Sequence, residues 1–146
     1  MNILFVCTGN TCRSPMAEVI ASDMVRGDDI HISSAGIAAW DGSPASPESI
    51  ECVRNLGLSL EGFRSRAFTQ TLADISDLIL TMTRAHKEYI LKNFADTDGK
   101  TFTLGEYAGE PFTISDPFGL GYKAYERCAA EITRLVKSAA VKWNQL

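Results

Sequence analysis

The sequence predicts an α/β fold in which helices cover both faces of a parallel sheet. Short apolar runs alternate along the chain with stretches of helical periodicity, a pattern typical of β-α-β units. The first run, Ile3–Val6, is apolar at every position, as expected for a central strand that is buried on both faces. A length of 146 residues suits one core, so we expect residues 1–146 to form a single domain.

The first helix is expected to follow the first strand after a short loop. Ser14 is predicted to be its N-cap, because a serine hydroxyl can bond the unpaired N–H groups of the first turn. Pro15 is predicted to be the first helical residue, where a missing N–H does no harm. The helix is predicted to end near Gly27, since glycine commonly follows a helix C-terminus.

The rest of the chain continues the alternation of strands and helices. A second strand is expected around Ile30–Ala35, followed by a Gly-, Ser- and Pro-rich loop over residues 36–47 that is long enough to shape a pocket. The later predicted elements are a helix over Glu48–Leu56, a strand over Asp77–Met82, a helix over Thr83–Phe94, a strand over Thr101–Leu104 and an amphipathic helix over Tyr122–Trp143.

Composition limits the classes of partner and the compartment. Lys and Arg total 14 against 18 for Asp and Glu, a formal charge of −4, so no general attraction to nucleic acid is expected. No run approaches the roughly 18 apolar residues that cross a membrane. The four cysteines lack CxxC or Cys/His metal spacing, and no export leader precedes the first strand, so free thiols in the cytoplasm are expected and no metal. The sequence leaves the oligomeric state open.

One loop between a strand end and a helix start has the composition of an anion-binding site. Backbone N–H groups can converge there, and the helix dipole adds roughly 0.3–1 kcal/mol for a negative charge. Gly9 and Asn10 are residue types that tolerate the positive φ which such a curl requires. The predicted phosphate-binding residues are Thr8, Gly9, Asn10, Thr11, Cys12, Arg13 and Ser14.

The same loop carries the groups needed for covalent catalysis. Cys7 would stand on its floor, where N–H groups, Arg13 and the helix dipole favour the nucleophilic thiolate. The planar guanidinium of Arg13 matches two phosphoryl oxygens. Ser14 could donate to the Cys7 sulfur and help it leave. Spacing alone is not evidence, because Cys128 and Arg134 have the same separation inside the last predicted helix.

Hydrolysis of a phosphoester or phosphoramidate also requires a proton for the leaving group. We expect Asp116 to be that acid, because Asp116-Pro117 follows the last predicted strand, where the loops of an open sheet gather around the cleft. The alternative interpretation is a turn-forming Asp-Pro pair.

Several other residues have two interpretations each. Cys12 is either a redox partner that protects Cys7 through a reversible disulfide or a small buried filler. Trp40 is either a wall of the substrate pocket or a clamp for its own loop. His31 is interpreted as a strand residue and His86 as a helix-surface residue, neither with a role.

These segments resemble the low-molecular-weight protein tyrosine phosphatase family, through the run from Val6 to Glu18 and through Asp116-Pro117. The resemblance implies a three-layer αβα fold with a four-stranded parallel sheet in the order 2-1-3-4. It also implies a phosphocysteine intermediate on Cys7, with Asp116 acting first as acid and then as base. No metal or cofactor is implied, and the partners would be phosphorylated proteins.

The resemblance is sharper for the bacterial protein-arginine phosphatases, which carry threonine at the position of Thr11, where tyrosine-specific members usually carry a bulky aliphatic residue. A small polar wall would suit the flexible cationic guanidinium of phosphoarginine, and Asp116 could contact its nitrogens. Phe118-Gly119 replaces the aromatic pair common after Asp-Pro, so Thr11, Trp40 and Phe118 are the predicted specificity residues.

Three functions stay open from the sequence. The preferred one is a phosphoarginine phosphatase, with a phosphotyrosine phosphatase and an inactive phosphoresidue-binding module as alternatives. One departure concerns the loop: many family members carry a histidine before the helix near Thr69 that supports the loop asparagine, and this chain has none there. The support is therefore expected to be missing or supplied by other groups.

Overall fold

The computed structural model describes residues 1–110 and 113–145 and contains the predicted four-stranded parallel sheet. Its order is β2-β1-β3-β4, so β1 is central, as predicted. The strands are β1 Asn2–Cys7, β2 His31–Gly36, β3 Leu78–Thr81 and β4 Thr101–Thr103. In the parallel register, Cys7 lies opposite Gly36 at the end of the β1–β2 pair.

Helices pack on both faces of the sheet and give three layers. They are α1 Arg13–Met24, α2 Pro47–Arg54, α3 Gln70–Ile75, α4 Arg84–Asn93, α5 Leu104–Tyr107 and α6 Tyr122–Trp143. Alternate residues of β1 point to opposite faces of the sheet and enter different cores. Ile3 and Phe5 pack with α1, α2 and α6 on one face. Leu4 and Val6 pack with α3 and α4 on the other face. This division explains why the first apolar run shows no alternation with polar residues.

The last helix is the amphipathic element that its periodicity predicts. Its apolar stripe is buried throughout, at Tyr125, Cys128, Ile132, Leu135, Val136, Ala139 and Trp143. Trp143 meets Phe5 edge to face, with ring centroids 6.4 Å apart. Cys128 and Arg134 both lie within this helix, and burial raises the pKa of the Cys128 thiol to about 12, which makes it a poor nucleophile.

The predicted boundaries of α1 are wrong at both ends. Cys12 occupies the N-cap position without a side-chain cap, Ser14 is the second helical residue and Pro15 the third. The Ser14 hydroxyl is engaged by loop side chains, and Pro15 is tolerated because the first four N–H groups of a helix have no helical partner. The helix ends at Met24, with Val25 as its C-cap, and not near Gly27.

The short helix α5 replaces the predicted end of β4. Thr103 and Glu106 form a reciprocal capping box that starts this helix at Leu104, so the strand stops at Thr103. In the described part of the chain, no helix is both long enough and apolar enough to cross a membrane.

Candidate active site

The loop after β1 is held by its carbonyl groups. The carbonyl oxygens of residues 7, 8, 11 and 12 all accept hydrogen bonds from the chain that follows β2, up to the first turn of α2. The donors are the N–H groups of Ile37, Ala38 and Ser46 and the hydroxyl of Ser49, at 3.0, 2.9, 2.8 and 3.3 Å respectively. No hydrogen bond joins a backbone N–H of residues 8–13 to another described residue. The loop can therefore offer these N–H groups to an anion.

The curl of the loop depends on one positive φ and one close approach. Asn10 has φ of 54°, as predicted. The same expectation for Gly9 is wrong, because Gly9 lies outside the left-handed region. The glycine that the loop requires is Gly36, where an added Cβ would lie 2.5 Å from the Thr8 carbonyl oxygen. Sequence reasoning missed this contact, because it joins two elements far apart in the chain.

The loop asparagine is supported without the family histidine. Asn10 is fully buried, and its side-chain amide donates to the Ser14 hydroxyl at 2.8 Å and to the Ser34 hydroxyl at 3.0 Å. Its carbonyl oxygen accepts from the backbone N–H of Arg66 at 3.0 Å. The Ser34 hydroxyl donates in turn to Glu18 at 2.8 Å, and burial raises the pKa of that carboxyl. The support is thus supplied by other groups.

Cys7 ends β1 with its side chain 2% exposed and its Sγ 2.9 Å from the Ser14 hydroxyl oxygen. Ser14 already accepts a hydrogen bond from Asn10, which leaves its own proton free for the sulfur. A thiolate at Cys7 can only accept, so this arrangement suits the ionised sulfur. The predicted contact between Ser14 and Cys7 is present.

Arg13 connects the loop to the segment that carries Asp116. Its side chain is buried, and Nη1 donates to the carbonyl oxygen of Ile114 at 2.9 Å. Nη2 lies 3.9 Å from Asp116 Oδ2. The other carboxylate oxygen of Asp116 accepts from the Phe118 N–H at 3.0 Å, which also satisfies the turn interpretation. Asp116 therefore forms a turn and faces the site.

These side chains surround one small cavity of about 170 Å³. Its lining comprises Cys7, Thr8, Gly9, Thr11, Cys12, Arg13, Asp116 and Phe118. Of the predicted site residues, Asn10 and Ser14 are buried behind this lining. Trp40 does not line the cavity, and its side chain is 84% exposed, so its role as a pocket wall stays a prediction.

Cys12 is buried and contacts a tyrosine. Its Sγ lies 3.3 Å from the hydroxyl of Tyr125, on α6, and 3.7 Å from Thr11 Oγ1. All four cysteines, Cys7, Cys12, Cys52 and Cys128, are free thiols. The redox role of Cys12 therefore stays a prediction.

His86 is the residue that sequence reasoning misjudged. It is 4% exposed and not on the helix surface, and its Nε2 lies 2.9 Å from Thr8 Oγ1. Burial, reinforced by the nearby charge of Arg13 and opposed by Asp116, lowers the pKa of His86 to about 4. The imidazole is consequently neutral near pH 7. The local sequence carries no signal for this contact, because it joins α4 to a loop 78 residues earlier in the chain.

Among residues 1–110 and 113–145, no group of three His, Cys, Asp or Glu side chains could hold a metal ion. The chemistry available at the site is thus that of a buried sulfur beside a hydroxyl donor, an anion-binding loop, a guanidinium and a carboxylate at the mouth.

Comparison with known proteins shows the family to which the chain belongs. The sequence model of one family, low molecular weight phosphotyrosine protein phosphatase, matches residues 2–145. The chain belongs to this family. A low molecular weight protein-tyrosine-phosphatase, PtpB of Staphylococcus epidermidis, is 42% identical over 142 residues, covering 97% of this chain and 99% of that protein.

Two further relatives carry a different substrate in their names. The protein-arginine-phosphatase of Bacillus subtilis is 36% identical over 143 residues, covering 96% of this chain and 95% of that protein. A solved structure of an arginine phosphatase, a YwlE mutant with a phosphorylated active-site serine, superposes with a TM-score of 0.93 at 35% identity. It covers 97% of this chain and 95% of that one. The family and fold implied by the sequence are confirmed.

Proposed function

We propose that this protein is a phosphoprotein phosphatase that uses Cys7 as nucleophile and forms a phosphocysteine intermediate. The observation that carries the proposal is the convergence of Cys7, Arg13 and Asp116 on one cavity lined by the loop after β1. The unpaired loop N–H groups and the Arg13 guanidinium would bind the three non-bridging phosphoryl oxygens. Cys7 would then face the phosphorus from below.

In the first step, the Cys7 thiolate attacks phosphorus and forms the S–P bond while the bond to the leaving group breaks. Asp116 gives its proton to the leaving nitrogen or oxygen, which otherwise would depart with a full negative charge. Arg13 and the loop N–H groups stabilise the charge of the phosphoryl group in a loose transition state. The free side chain departs, and Asp116 is left as a carboxylate.

In the second step, the Asp116 carboxylate takes a proton from water, whose oxygen attacks phosphorus. The S–P bond breaks, and the electron pair returns to the Cys7 sulfur. The Ser14 hydroxyl, 2.9 Å from that sulfur, stabilises the departing thiolate through a hydrogen bond. Inorganic phosphate leaves, and both Cys7 and Asp116 have regained their starting protonation states.

Phosphoarginine is the substrate that we propose. Thr11 and Phe118 line the cavity beside Asp116, so the wall facing the leaving group is short and polar on one side. The Asp116 carboxyl group can contact several nitrogens of a guanidinium, whereas a phenol offers it a single oxygen. The relatives named as arginine phosphatases match this chain over nearly their whole length.

Phosphotyrosine is the second candidate, because the relative at 42% identity is named a protein-tyrosine-phosphatase. A phosphoresidue-binding module without turnover is disfavoured, since binding alone requires neither a sulfur on the floor nor Asp116 at the mouth. We also propose a cytoplasmic location, because four free thiols, one of them the nucleophile, suit a reducing compartment. A single domain is proposed because 146 residues suit one core.

Paired kinetics test both levels of the proposal. We expect the chain to hydrolyse a generic aryl phosphate and Cys7→Ser to abolish that turnover. We also expect a higher kcat/KM for a phosphoarginine protein than for a phosphotyrosine peptide. Persistent turnover by Cys7→Ser would overturn the mechanism, and a higher value for phosphotyrosine would overturn only the substrate.

Thr11→Ile tests the specificity residue directly. Isoleucine is bulkier than threonine and has no hydroxyl, so the wall of the cavity at position 11 would become larger and apolar. The ratio of kcat/KM for phosphotyrosine to kcat/KM for phosphoarginine should therefore rise. Turnover of a small aryl phosphate serves as the control for general damage to the loop. An unchanged ratio would exclude Thr11 as a specificity residue.

A further inference from the structure

Thr8 is fixed from two sides, and one of its partners is a buried histidine. Its carbonyl oxygen accepts from the Ala38 N–H at 2.9 Å, on the β2 side of the loop. Its hydroxyl lies 2.9 Å from Nε2 of His86, which belongs to α4 and follows β3. Thr8 lines the catalytic cavity, whereas His86 does not. The hydrogen bond of His86 therefore reaches the site through Thr8.

The unpaired ring nitrogen of His86 indicates the direction of this hydrogen bond. Nδ1 is buried without a hydrogen-bond partner among the described residues. A buried N–H without an acceptor is rarer in proteins than an acceptor without a donor. The favoured tautomer therefore carries its proton on Nε2 and donates it to the Thr8 hydroxyl oxygen.

This direction leaves the proton of the Thr8 hydroxyl available. No other hydrogen bond involving Thr8 Oγ1 occurs within residues 1–110 and 113–145. The Thr8 hydroxyl accepts from His86 outside the cavity, so its own proton is free to be donated into the cavity that Thr8 lines. The neighbouring residue is Cys7, so the donor would lie close to the reacting phosphoryl group.

The backbone holds His86 firmly enough for this role. The Thr83 hydroxyl caps α4 by accepting from the His86 N–H at 3.2 Å. The N–H of Met82, just before that cap, donates to the carbonyl oxygen of Val6 at 3.1 Å. The first turn of α4 is thus tied to β1, the strand that carries Cys7.

We propose that His86 is a positioning residue, which donates from Nε2 to the Thr8 hydroxyl and thereby directs the Thr8 proton toward the phosphoryl or leaving group in the cavity. This inference rests on the proposed phosphatase function and extends it by one residue outside the loop. The charged groups that act on His86 are Arg13 and Asp116, and Arg84 and Lys87 flank it on its own helix. At an assay pH near 7 the imidazole of His86 is neutral.

A double-mutant cycle tests the proposal with an aryl phosphate as substrate. His86→Phe keeps an aromatic ring without a donor, and Thr8→Val keeps the shape of threonine without its hydroxyl. We expect each to lower kcat about fivefold to tenfold, as for the loss of one hydrogen bond, with KM changed less than kcat. The double variant should be no slower than either single variant, because both remove the same interaction.

Conservative and control variants separate positioning from structure. His86→Gln places an amide donor near the position of Nε2 and should recover most of the lost kcat. His31→Gln, at an exposed strand position, should leave kcat unchanged. Melting temperatures show whether His86→Phe is folded, and Thr8→Val gives an independent reading if it is not.

The outcomes distinguish the two levels of inference. Losses that do not add, with recovery by His86→Gln, support the positioning role. Full kcat in folded Thr8→Val, or losses in the two single variants that multiply, would overturn it while the phosphatase function stands. A parent chain that cannot hydrolyse the aryl phosphate would overturn the proposed function and, with it, this inference.

Discussion

Gly36→Ala tests whether the shape of the loop depends on a close approach outside it. An added Cβ would lie 2.5 Å from the Thr8 carbonyl oxygen, 2.8 Å from the Ala39 Cβ and 2.9 Å from the Asn10 nitrogen. Cβ atoms in proteins essentially never show contacts below 3.0 Å, and two of these three atoms are backbone, which cannot rotate away. The Thr8 carbonyl must therefore retreat by several tenths of an ångström.

The displacement should lower both the rate and the stability. Shifts approaching 1 Å in a catalytic group cost about 10²-fold in rate, so we expect kcat/KM for an aryl phosphate to fall on the order of 10²-fold. Overpacking of this kind destabilises by about 1–3 kcal/mol, which would lower Tm by several degrees. Both quantities are measured on the same preparations.

Gly57→Ala is the matched control. Gly57 has φ of 81°, and an added Cβ there would meet nothing within 4 Å. The substitution introduces backbone strain of roughly 1–2 kcal/mol, away from the loop, so Tm should fall without a change in kcat. If Gly36→Ala lost no more activity than Gly57→Ala at a similar Tm, the close approach would not govern the loop and the reasoning would be refuted.

Three further predictions follow from the same contacts. Asp116→Ala should lower kcat by roughly 10²–10⁴-fold while inorganic phosphate still binds, and a full rate would exclude it as the acid. Ser34→Ala removes a partner of both Asn10 and Glu18 and should destabilise by about 1–3 kcal/mol, measured by chemical denaturation against Ser33→Ala. The pKa of His86, lowered from 6.5 to about 4, means that the unfolded chain binds more protons between these values. The free energy of unfolding should therefore fall, by up to roughly 3 kcal/mol, as pH drops from 6.5 to 4, and His86→Gln should flatten this dependence.

The fold could be predicted because its main signals are local. The continuous apolar run at β1 and the regular spacing along α6 each lie within one stretch of sequence. The predictions failed where a side chain had a non-local use. Serine is a residue type typical of an N-cap, yet the Ser14 hydroxyl bonds Cys7 and Asn10, and the helix begins at Arg13, two residues before the predicted start.

The residues of the site also divide into those that the local sequence reveals and those that only the fold brings together. Cys7 and Arg13 are recognisable from one loop, and the topology then brings Asp116 to its mouth. The residues that support the loop come from other elements, and nothing in the local sequence marks them. His86 lies in a polar helix, where a histidine is usually exposed. The first turn of α4 nevertheless faces the end of the sheet, and only the order of the strands determines that orientation.

The central position of β1 explains how the loop can keep its own N–H groups unpaired. From the β2 side, Ile37 and Ala38 donate to its carbonyl oxygens, and from the β3 side His86 reaches the Thr8 hydroxyl. A loop after an edge strand would have neighbours on one side only. Because carbonyl oxygens and side chains make the bonds that fix the loop, its N–H groups keep no partner among the described residues, as the proposed binding of phosphate requires. Substitutions in β2 and α4, outside the loop, are therefore expected to act on the rate.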